Sequence, residues 1–383
     1  MTGRGRWAAV VVLLALAVPA TAGEGWLRAE RGYTWSFPRD HWPHPEYRSE
    51  WWYLTGHLEA VDDPEQRFGF QFTFFRVGLL SEAPAIDSAW AARSLIMGHA
   101  SISDLTAGTH RFGEVLYRAV PLLGGFNRYP AAAIAWSVGP PGTRGPWTLH
   151  WNGRGFDVAA RDDAAGFSLE LRTRPEKPVV LHGEGGFSRK GSGPDAGASN
   201  YYSFTRLRTE GTVTAGGRSW EVRGLSWMDK EFGTSQLTAD QVGWDWFSLQ
   251  LDDGRDLMLY VLRDRDGGID HASGTLVEPD GSARSLRDDD FRLEAVATWR
   301  SPASGTTYPS GWRLELPGEG LRLRVEPELA DQENVVRLAR ELAYWEGAVR
   351  AVGEDGARLG RGYVELTGYA GDGGLGFLRD REP

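Results

Sequence analysis

The chain has 383 residues, of which 41% are hydrophobic and 25% charged, as is typical of a soluble globular protein with two domains or one large β unit. A formal net charge of −10 argues against a nucleic-acid-binding surface. The sequence has no cysteine, which excludes disulfides, thiol catalysis and Cys-ligated zinc. Its 17 Trp side chains require wide apolar surfaces to cover or a ligand site to line. Its 50 Gly favour turns over long helices.

The N-terminus has the layout of a secretory signal peptide. A basic start precedes a short apolar run at residues 7–18, and small residues follow at Ala20 and Ala22. We predict cleavage after Ala22, which removes residues 1–22. The alternative is a membrane anchor, but the run is too short to span a bilayer comfortably. We therefore expect a secreted, periplasmic protein with no integral membrane segment in the mature chain.

Alternating apolar and polar residues predict two similar hairpins, half a chain apart. Residues 51–58 and 68–75 form the first, and four phenylalanines share one face of its second strand: Phe68, Phe70, Phe72 and Phe74. Residues 243–263 repeat this layout, with Asp-Asp-Gly as the tight turn. The repeat suggests two related β domains, which we place at residues 23–235 and 236–383.

Further short strands alternate with turn residues, a pattern typical of a sandwich or barrel. They are predicted at residues 167–172, 211–214, 219–223, 312–316, 321–325, 346–352 and 362–368. Helical periodicity is scarce. Residues 84–96 favour a short helix with a proline in its first turn, and residues 328–342 have helical composition beside an ambiguous flank. The predicted fold class is therefore all-β.

A strand that carries carboxylates beside large rings is the strongest functional signal. Alternation puts Trp227, Asp229 and Glu231 on one strand face. Burying a charge is costly unless the charge is paired or neutralised, so such a carboxyl group is a candidate for chemistry or ligand capture. The alternative is a solvated Asp or a structural ion pair. In the aromatic strand that follows, Trp244 and Trp246 are candidate ligand-binding rings.

Other polar and aromatic residues are further candidates. Asn200 and Tyr202 share a predicted strand face and would position water or a polar ligand group, although a Tyr pair lining a core is the alternative. His99 is a candidate proton shuttle or a satisfied core histidine. Glu50 is a candidate to pair with a basic residue in a cavity, and its neighbour Trp52 is a candidate ligand-binding ring.

No metal or organic cofactor is predicted. His41 and His44 lie near Glu46 and Glu50, but the prolines between them make an irregular loop rather than a helix face, so we favour a loop that closes one end of a barrel. The sequence has no Gly-rich phosphate loop, no Gly-x-Ser-x-Gly and no His-Glu-x-x-His. Near the C-terminus, Glu365 lies on a strand face that resembles a half-exposed surface more than a cavity wall.

Four motifs resemble the AttH/CrtC family, which includes carotenoid 1,2-hydratase (hydroxyneurosporene synthase). They are Tyr47-Arg-Ser-Glu-Trp-Trp-Tyr-Leu-Thr-Gly56, Gly224-Leu-Ser-Trp-Met-Asp-Lys-Glu-Phe-Gly233, Gly243-Trp-Asp-Trp-Phe247 and Tyr344-Trp-Glu-Gly347. The resemblance covers residues 35–368. It implies two consecutive lipocalin-like antiparallel β-barrels or half-barrels with an apolar cavity.

The resemblance also implies a site. The hydratase branch is similar to a site with an Asp, a Tyr two residues before it, and a His and a Trp on an earlier strand. Asp229 fits the Asp, Trp227 stands where the Tyr would be, and by spacing Asn200 and Tyr202 stand where the His and Trp would be. Three of the four positions differ, so the chain is more similar to the secreted AttH-like branch, whose genes often accompany ABC-transporter permeases.

Two functions stay open. The first is a cofactor-independent hydratase, in which an apolar pocket keeps Asp229 protonated, the neighbouring tryptophans stabilise a carbocation, and Glu231 or Tyr202 orients the water. The second is a non-catalytic carrier that hands an elongated isoprenoid or lipid to an ABC-transporter permease. A hydrolase is disfavoured, because no nucleophile–His–acid arrangement is evident in the sequence.

Overall fold

A computed structural model describes residues 25–193, 196–337 and 343–371. The predicted signal peptide, residues 1–22, lies outside these ranges. Within them, the regular elements are antiparallel β-strands and three short 3-10 turns, at Arg39–His41, Asp288–Asp290 and Pro317–Glu319. This described part contains no helix of sufficient length and apolarity to cross a membrane. The predicted all-β fold class is confirmed.

Thirteen strands form the first sheet. They are β1 (Ser49–Ala60), β2 (Arg67–Gly78), β3 (Ser94–Asp104), β4 (Thr109–Arg118), β5 (Gly124–Phe126), β6 (Ala133–Val138), β7 (Pro146–Trp151), β8 (Phe156–Asp162), β9 (Phe167–Pro175), β10 (Val180–Leu181), β11 (Phe187–Arg189), β12 (Ala198–Ala215) and β13 (Arg218–Ser235). Their order is β4-β3-β2-β1-β13-β12-β9-β8-β7-β6-β5, with β10 and β11 paired to β12. The sheet curls into a nearly closed, lipocalin-like barrel.

Ten strands form the second sheet, and two more form a separate hairpin. The twelve are β14 (Gln241–Leu251), β15 (Asp256–Asp264), β16 (Ile269–Val277), β17 (Ala283–Arg287), β18 (Arg292–Ala295), β19 (Thr298–Arg300), β20 (Thr307–Pro309), β21 (Trp312–Leu316), β22 (Leu321–Pro327), β23 (Glu333–Val335), β24 (Ala343–Val352) and β25 (Arg358–Leu366). The sheet order is β17-β16-β15-β14-β25-β24-β22-β21-β18, with β23 paired to β24, while β19 and β20 pair with each other.

Each sheet has its own apolar interior. In the first, alternation turns Trp52 and Leu54 of β1 inward together with the predicted phenylalanine face of β2, and all of these side chains are fully buried. In the second, Phe247, Trp312 and Trp345 belong to a separate buried cluster. Burying one large apolar side chain stabilises the fold by roughly 1.5–3 kcal/mol. Both interiors are therefore lined by the protein's own buried side chains.

The two sheets pack against each other through their outer faces. A third apolar cluster lies between them and includes Tyr53, Trp227 and Trp246. Gly69 of β2 permits the close approach, because a Cβ there would lie 2.8 Å from the Ala348 side chain of β24. This packing leaves open space where the facing side chains are held further apart.

A buried ion pair also joins the sheets. Asp256 of β15 is fully buried and pairs with Lys177, from the segment between β9 and β10, at 2.7 Å and with Arg206 of β12 at 2.6 Å. The two cations compensate the carboxylate that the interface takes out of water. The contact fixes one end of the interface between the sheets.

The helix expected over residues 84–96 is wrong. The chain runs as a loop from Leu79 until β3 begins at Ser94, and the backbone amides of Leu79 and Leu80 bond to the Arg93 carbonyl to close this loop. Ile86 is 72% exposed and Trp90 53% exposed, so the apolar residues of the segment have no core against which a helix could pack.

The second region of helical composition also differs from a helix where it is described. Within residues 328–342, the residues Glu333–Val335 form β23, which pairs with β24. Glu333 accepts hydrogen bonds from Ser304 and from the Tyr308 hydroxyl, the latter at 2.8 Å. These tertiary contacts favour the extended backbone over local helical preference. Residues 338–342 lie outside the described residues.

Candidate active site

A partly open cavity lies between the two sheets. Its walls come from both sheets and from the segment that links them, where Gln236 and Leu237 face it. The aromatic part of the lining comprises Trp51, Tyr53, Phe75, Tyr201, Trp244, Trp246, Tyr260 and Tyr344. Trp51, Phe75 and Trp244 are only partly buried and mark the mouth. Such a concave, mostly apolar space with a few polar groups is the usual form of a ligand site.

Asp229 faces this cavity from β13 and is only 3% exposed. Three donors hold its carboxyl group. The Trp227 indole N–H donates to Oδ1 at 2.6 Å, Ser203 also donates to Oδ1, and the Tyr201 hydroxyl donates to Oδ2 at 2.8 Å. The Trp246 indole in turn donates to the Tyr201 hydroxyl at 3.1 Å. The acid is therefore fixed in position by residues of β12, β13 and β14.

Burial raises the pKa of Asp229 to about 7, although the three hydrogen bonds oppose the rise. A nearby carboxylate, Glu231, also raises this pKa. Behind Asp229, Ser203 contacts His182 Nε2 at 2.6 Å, and His182 Nδ1 contacts Thr275 of the second sheet at 2.8 Å. Burial lowers the pKa of His182 to about 3, so this imidazole is neutral. Near neutral pH, Asp229 exists in both protonated and ionised forms.

Glu231 is the second carboxyl group of β13 at the cavity, but it is paired. Its Oε1 lies 2.6 Å from Lys190 Nζ, and Ser199 donates to the same oxygen. Burial opposes the charged form of Lys190, but Glu231 outweighs it and raises the pKa of the ammonium group. The Lys190 ammonium also lies 4.6 Å from the ring centre of Tyr260. Glu231 is therefore held in an ion pair and is not a free acid.

Glu365 brings a carboxyl group from the second sheet. It lines the cavity from β25, and the Trp244 indole donates to its Oε2 at 3.0 Å. Burial raises the pKa of Glu365 to about 7, and the charges of Asp229 and Glu231 add to the rise. Glu346, its cross-strand neighbour on β24, is fully buried, and burial holds its pKa well above the usual range. Acids from both sheets thus face one space.

His99 supplies an unsatisfied nitrogen. Its Nδ1 lies 2.7 Å from the Tyr344 hydroxyl, while Nε2 has no hydrogen-bond partner among the described residues. The side chain is 2% exposed and lines the cavity, and burial lowers its pKa to about 3. A buried polar atom without a partner is costly, so a ligand or water that satisfied Nε2 would gain from doing so.

The structure brings together most of the residues proposed from the sequence. Asp229, Glu231, His99, Trp244 and Trp246 all line the cavity. A sixth candidate, Trp227, does not line the cavity, but its indole N–H donates to Asp229 from the same strand face. The predicted face with alternating tryptophan, aspartate and glutamate is therefore the face that meets the second sheet.

Tyr202 and Asn200 lie elsewhere. On β12, Ser203 is opposite Asp229, so its neighbour Tyr202 is on the other face, inside the first barrel, where its hydroxyl contacts His41 Nδ1 at 2.6 Å. Asn200 is fully buried on that same inner face. The expectation that these two side chains meet a ligand beside Asp229 is corrected by the register, since a shift of one residue exchanges the faces of a strand.

Glu50 and Trp52 also point into the first barrel. Glu50 is fully buried and pairs with Lys230 and Arg76, and the Lys230 ammonium lies 3.4 Å from the ring centre of Trp52. His44 donates its backbone N–H to Glu50 at 3.0 Å. Burial lowers the pKa of Lys230 to about 8. Glu50 does pair with basic residues, as expected, but within a buried interior rather than in the cavity.

The sequence patterns did not single out two residues that hold Asp229, nor a third that lines the cavity with it. Tyr201 and Ser203 bond to the acid, and each is next in sequence to the candidate Tyr202. Glu365 was assigned to a half-exposed strand, yet it lines the cavity. The alternation of Tyr363, Glu365 and Thr367 indicated a cavity wall only weakly, because a carboxyl group between polar neighbours suits a half-exposed strand face equally well.

Within the described ranges, no group of three or more His, Cys, Asp or Glu side chains could hold a metal ion. His44, a residue of the histidine pair in the sequence, contacts Asp40 at 3.5 Å and Glu50 at 3.4 Å. These contacts belong to the segment before β1, whose His41 contacts the Tyr202 hydroxyl inside the first barrel. The chemistry that the cavity offers comes from carboxyl groups, hydroxyls, an imidazole and rings.

Two consecutive antiparallel β units with a carboxyl-bearing, ring-lined cavity between them define the class of this protein. The family model of the AttH-like proteins matches residues 28–369, and the chain belongs to that family. A candidate AttH from Nitrosomonas europaea is 32% identical, with a TM-score of 0.76 over 90% of this chain and 99% of that one.

A second solved structure has the same fold at lower identity. Kievitone hydratase from Nectria haematococca is 14% identical, with a TM-score of 0.63 over 87% of this chain and 92% of that one. None of the curated proteins matches the sequence of this chain.

Proposed function

We propose that this protein is a cofactor-independent hydratase that adds water to a carbon–carbon double bond of an elongated apolar ligand of the isoprenoid class. The observation that carries the proposal is Asp229, a buried carboxyl group with a pKa of about 7 that faces a ring-lined cavity. A proton donor for an alkene must stay protonated near neutral pH, and desolvation achieves this. The fold shared with a protein named as a hydratase supports the proposal.

The first step is protonation of the alkene. Trp227 and Ser203 both donate to Oδ1 of Asp229, whereas Oδ2 has a single contact among the described residues, with the Tyr201 hydroxyl, and carries the proton that is transferred. The O–H bond breaks as a C–H bond forms, and the positive charge develops on the more substituted carbon. Rings such as Trp244 and Trp246 stabilise this charge through their electron-rich faces, by about 0.5–2 kcal/mol for each well-placed ring.

The second step is capture of the carbocation by water. A C–O bond forms, and the proton that the water loses passes to an ionised carboxylate on the opposite wall. Glu365 is suited to this role, because its pKa of about 7 leaves a large fraction ionised near neutral pH. Glu231 is less suited, because Lys190 holds it as an ion pair. Glu365 then releases its proton to solvent, and Asp229 takes up a proton from solvent, which restores both groups.

Isotope incorporation tests the proposed reaction directly. The full-length protein would be incubated with acyclic carotenoids and shorter isoprenoid alkenes in H₂¹⁸O, and the products analysed by mass spectrometry. Hydration places one ¹⁸O in a new hydroxyl group, and in D₂O it places one deuterium on the adjacent carbon. Unchanged alkenes across the series, under conditions where the protein binds them, would contradict the proposed reaction.

Tyr201→Phe is expected to shift the pH profile of turnover. The Tyr201 hydroxyl lowers the pKa of Asp229 by donating to the carboxylate, so its removal raises that pKa. The acid then stays protonated to higher pH, and the alkaline limb of the rate profile moves up by about one pH unit. Tyr202→Phe is the matched control, because this neighbour lies inside the first barrel. An unchanged alkaline limb in Tyr201→Phe would contradict the assignment of Asp229 as the acid.

Glu365→Gln is expected to remove the acidic limb of the same profile. Turnover requires a protonated Asp229, which is lost as the pH rises through about 7, and an ionised Glu365, which is lost as the pH falls through about 7. The wild type should therefore show a bell-shaped dependence of kcat/KM on pH. The glutamine variant should be slower by about 10²–10⁴-fold and level off at low pH. If that variant still showed a bell-shaped pH profile, the base would be a group other than Glu365.

A non-catalytic carrier is the second candidate, and the aromatic lining of the cavity favours it, since rings bind an apolar chain without any reaction. The carrier would act in the periplasm after signal-peptide cleavage and pass its ligand to an ABC-transporter permease. Native mass spectrometry of protein from its own host separates the two functions. A bound lipid that is released chemically unchanged supports the carrier, and a hydrated one supports the enzyme.

A further inference from the structure

The cavity carries more carboxyl groups than cations. Asp229, Glu231 and Glu365 line it, and Glu346 is the cross-strand neighbour of Glu365. Among the described residues that line the cavity, Lys190 is the only Lys or Arg, and it pairs with Glu231. Burial raises the pKa of Asp229, Glu365 and Glu346, and neighbouring carboxylates add to each rise: Glu231 for Asp229, Asp229 and Glu231 for Glu365, and Glu365 for Glu346. A positive ligand would relieve the repulsion among these carboxylates.

The rings of the wall already receive an ammonium group. The Lys190 nitrogen lies 4.6 Å from the ring centre of Tyr260 and 5.3 Å from that of Tyr201. Both distances are within the range at which a ring face attracts a cation. Trp244 and Trp246 have their indole N–H groups engaged with Glu365 and Tyr201, which fixes their orientation in the wall.

An independent feature, His99, points to a ligand that donates a hydrogen bond. His99 lines the cavity, and its buried Nε2 has no partner among the described residues. In the tautomer that donates its Nδ1–H to Tyr344, Nε2 is an acceptor. A protonated amine supplies the N–H that this nitrogen lacks, and an alkyl chain attached to it can follow the aromatic wall.

We propose that the cavity binds a protonated amphiphilic amine, with the ammonium group among Asp229, Glu365 and His99 and its hydrocarbon chain against the rings. This ligand class goes beyond the proposed hydration, although the ammonium group occupies the region in which a carbocation would develop. A carboxylate of the same length is excluded by repulsion from the acids, and an alcohol lacks the charge that the acids attract.

A series of three probes tests the inference on the wild-type protein. Octylammonium, octanol and octanoate share one chain and differ in charge, and their affinities would be measured by isothermal titration calorimetry at pH 8. We expect octylammonium to bind at least tenfold more tightly than octanol and octanoate to be the weakest. Equal or tighter binding of octanol would overturn the proposal without reference to any variant.

Variants then locate the site. Glu365→Gln and Asp229→Asn should each weaken octylammonium binding roughly tenfold and leave octanol binding nearly unchanged. Glu354→Gln, on the exposed surface, is the matched control and should bind as the wild type does. An ammonium preference that persists in both cavity variants would assign the binding to the acidic surface of the protein and overturn the proposal.

The two proposals fail separately. Alkene hydration by a protein that shows no preference for octylammonium would overturn the amine site and leave the hydratase standing. A tight, variant-sensitive ammonium site in a protein that hydrates none of the alkenes would support the amine site and contradict the hydratase. Inhibition of hydration by octylammonium, at concentrations where octanol has no effect, would support both.

Discussion

Replacing Asp229 by Asn is expected to abolish alkene hydration, with a fall in kcat/KM of about 10²–10⁴-fold, because the amide cannot transfer the proton. The side chains are nearly the same size, so the Trp227 and Tyr201 contacts keep a partner at the same place. Turnover would be followed by product formation from an isoprenoid alkene at pH 6 and 7. Activity close to that of the wild type would remove Asp229 as the acid.

The same variant is expected to be more stable than the wild type above pH 7. The folded-state pKa of Asp229 is raised from 3.8 to about 7, so the folded protein binds a proton that the unfolded chain releases between these values. Wild-type stability is therefore fully present below pH 4 and declines as the pH rises through about 7. That rise in pKa corresponds to about 4 kcal/mol, and the variant should recover about 1–3 kcal/mol of it because asparagine offers a single acceptor oxygen.

Urea unfolding at pH 5 and pH 8.5 measures this difference. The variant should gain over the wild type at pH 8.5 and gain less at pH 5, where only part of the wild-type loss has occurred. Asp266→Asn, in an exposed turn of the second sheet, is the matched control and should leave the pH dependence unchanged. A variant that is destabilised equally at both pH values would show that Asp229 acts as a structural carboxylate.

Glu50→Gln is expected to destabilise the fold by about 3–5 kcal/mol, because it leaves buried charges without a counter-ion. Glu50 is fully buried and pairs with Lys230 and Arg76, whose side chains are 0% and 2% exposed. Lys230 rests on the face of Trp52, so it has no route to water without disturbing the core of the first barrel. The loss would be measured by chemical unfolding at pH 7.

Glu59→Gln on the same strand is the control for this prediction. Glu59 pairs with Arg223, whose side chain is 58% exposed, and such surface pairs contribute about 0–1 kcal/mol. A loss below about 1 kcal/mol in Glu50→Gln would mean that Lys230 gives up its proton at little cost, since burial already lowers its pKa to about 8.

Strand alternation predicted the fold and much of the cavity wall, because a period of two residues depends on local sequence alone. It placed the phenylalanines of β2 on one face, where they are fully buried, and it grouped Trp227, Asp229 and Glu231. Local pattern also reproduced the two long hairpins, since the short polar turns between their strands fix the pairing.

The register of β12 could not be predicted in the same way. Both Tyr201 and Tyr202 suit a buried face, and the spacing to Asp229 depends on irregular pairing between β12 and β13, where the register shifts after Ala198 and again after Phe204. The role of Glu365 depends on the approach of a second sheet more than a hundred residues away in sequence. Such long-range packing leaves no periodic signal near either residue.

The place of the cavity differs from the one that a lipocalin-like barrel implies. The resemblance implied two barrels with an apolar cavity, but the described interiors are lined by buried side chains such as Trp52 and Trp312, and the open space lies between the sheets. Glu50 and Trp52 were expected in the cavity, and they alternate with Trp51 and Tyr53 along β1. Of these four residues, only Trp51 and Tyr53 face the second sheet.

Because the ligand wall is built on the outside of two independently packed units, a substitution there changes pocket shape without opening a hole in either core. A change such as Trp246 to a smaller residue would widen the groove for a bulkier guest, while the inward side chains of the same strand, such as Phe247, would keep their neighbours. Substitutions in this wall would therefore change which molecule the cavity accepts and leave the two inner cores in place.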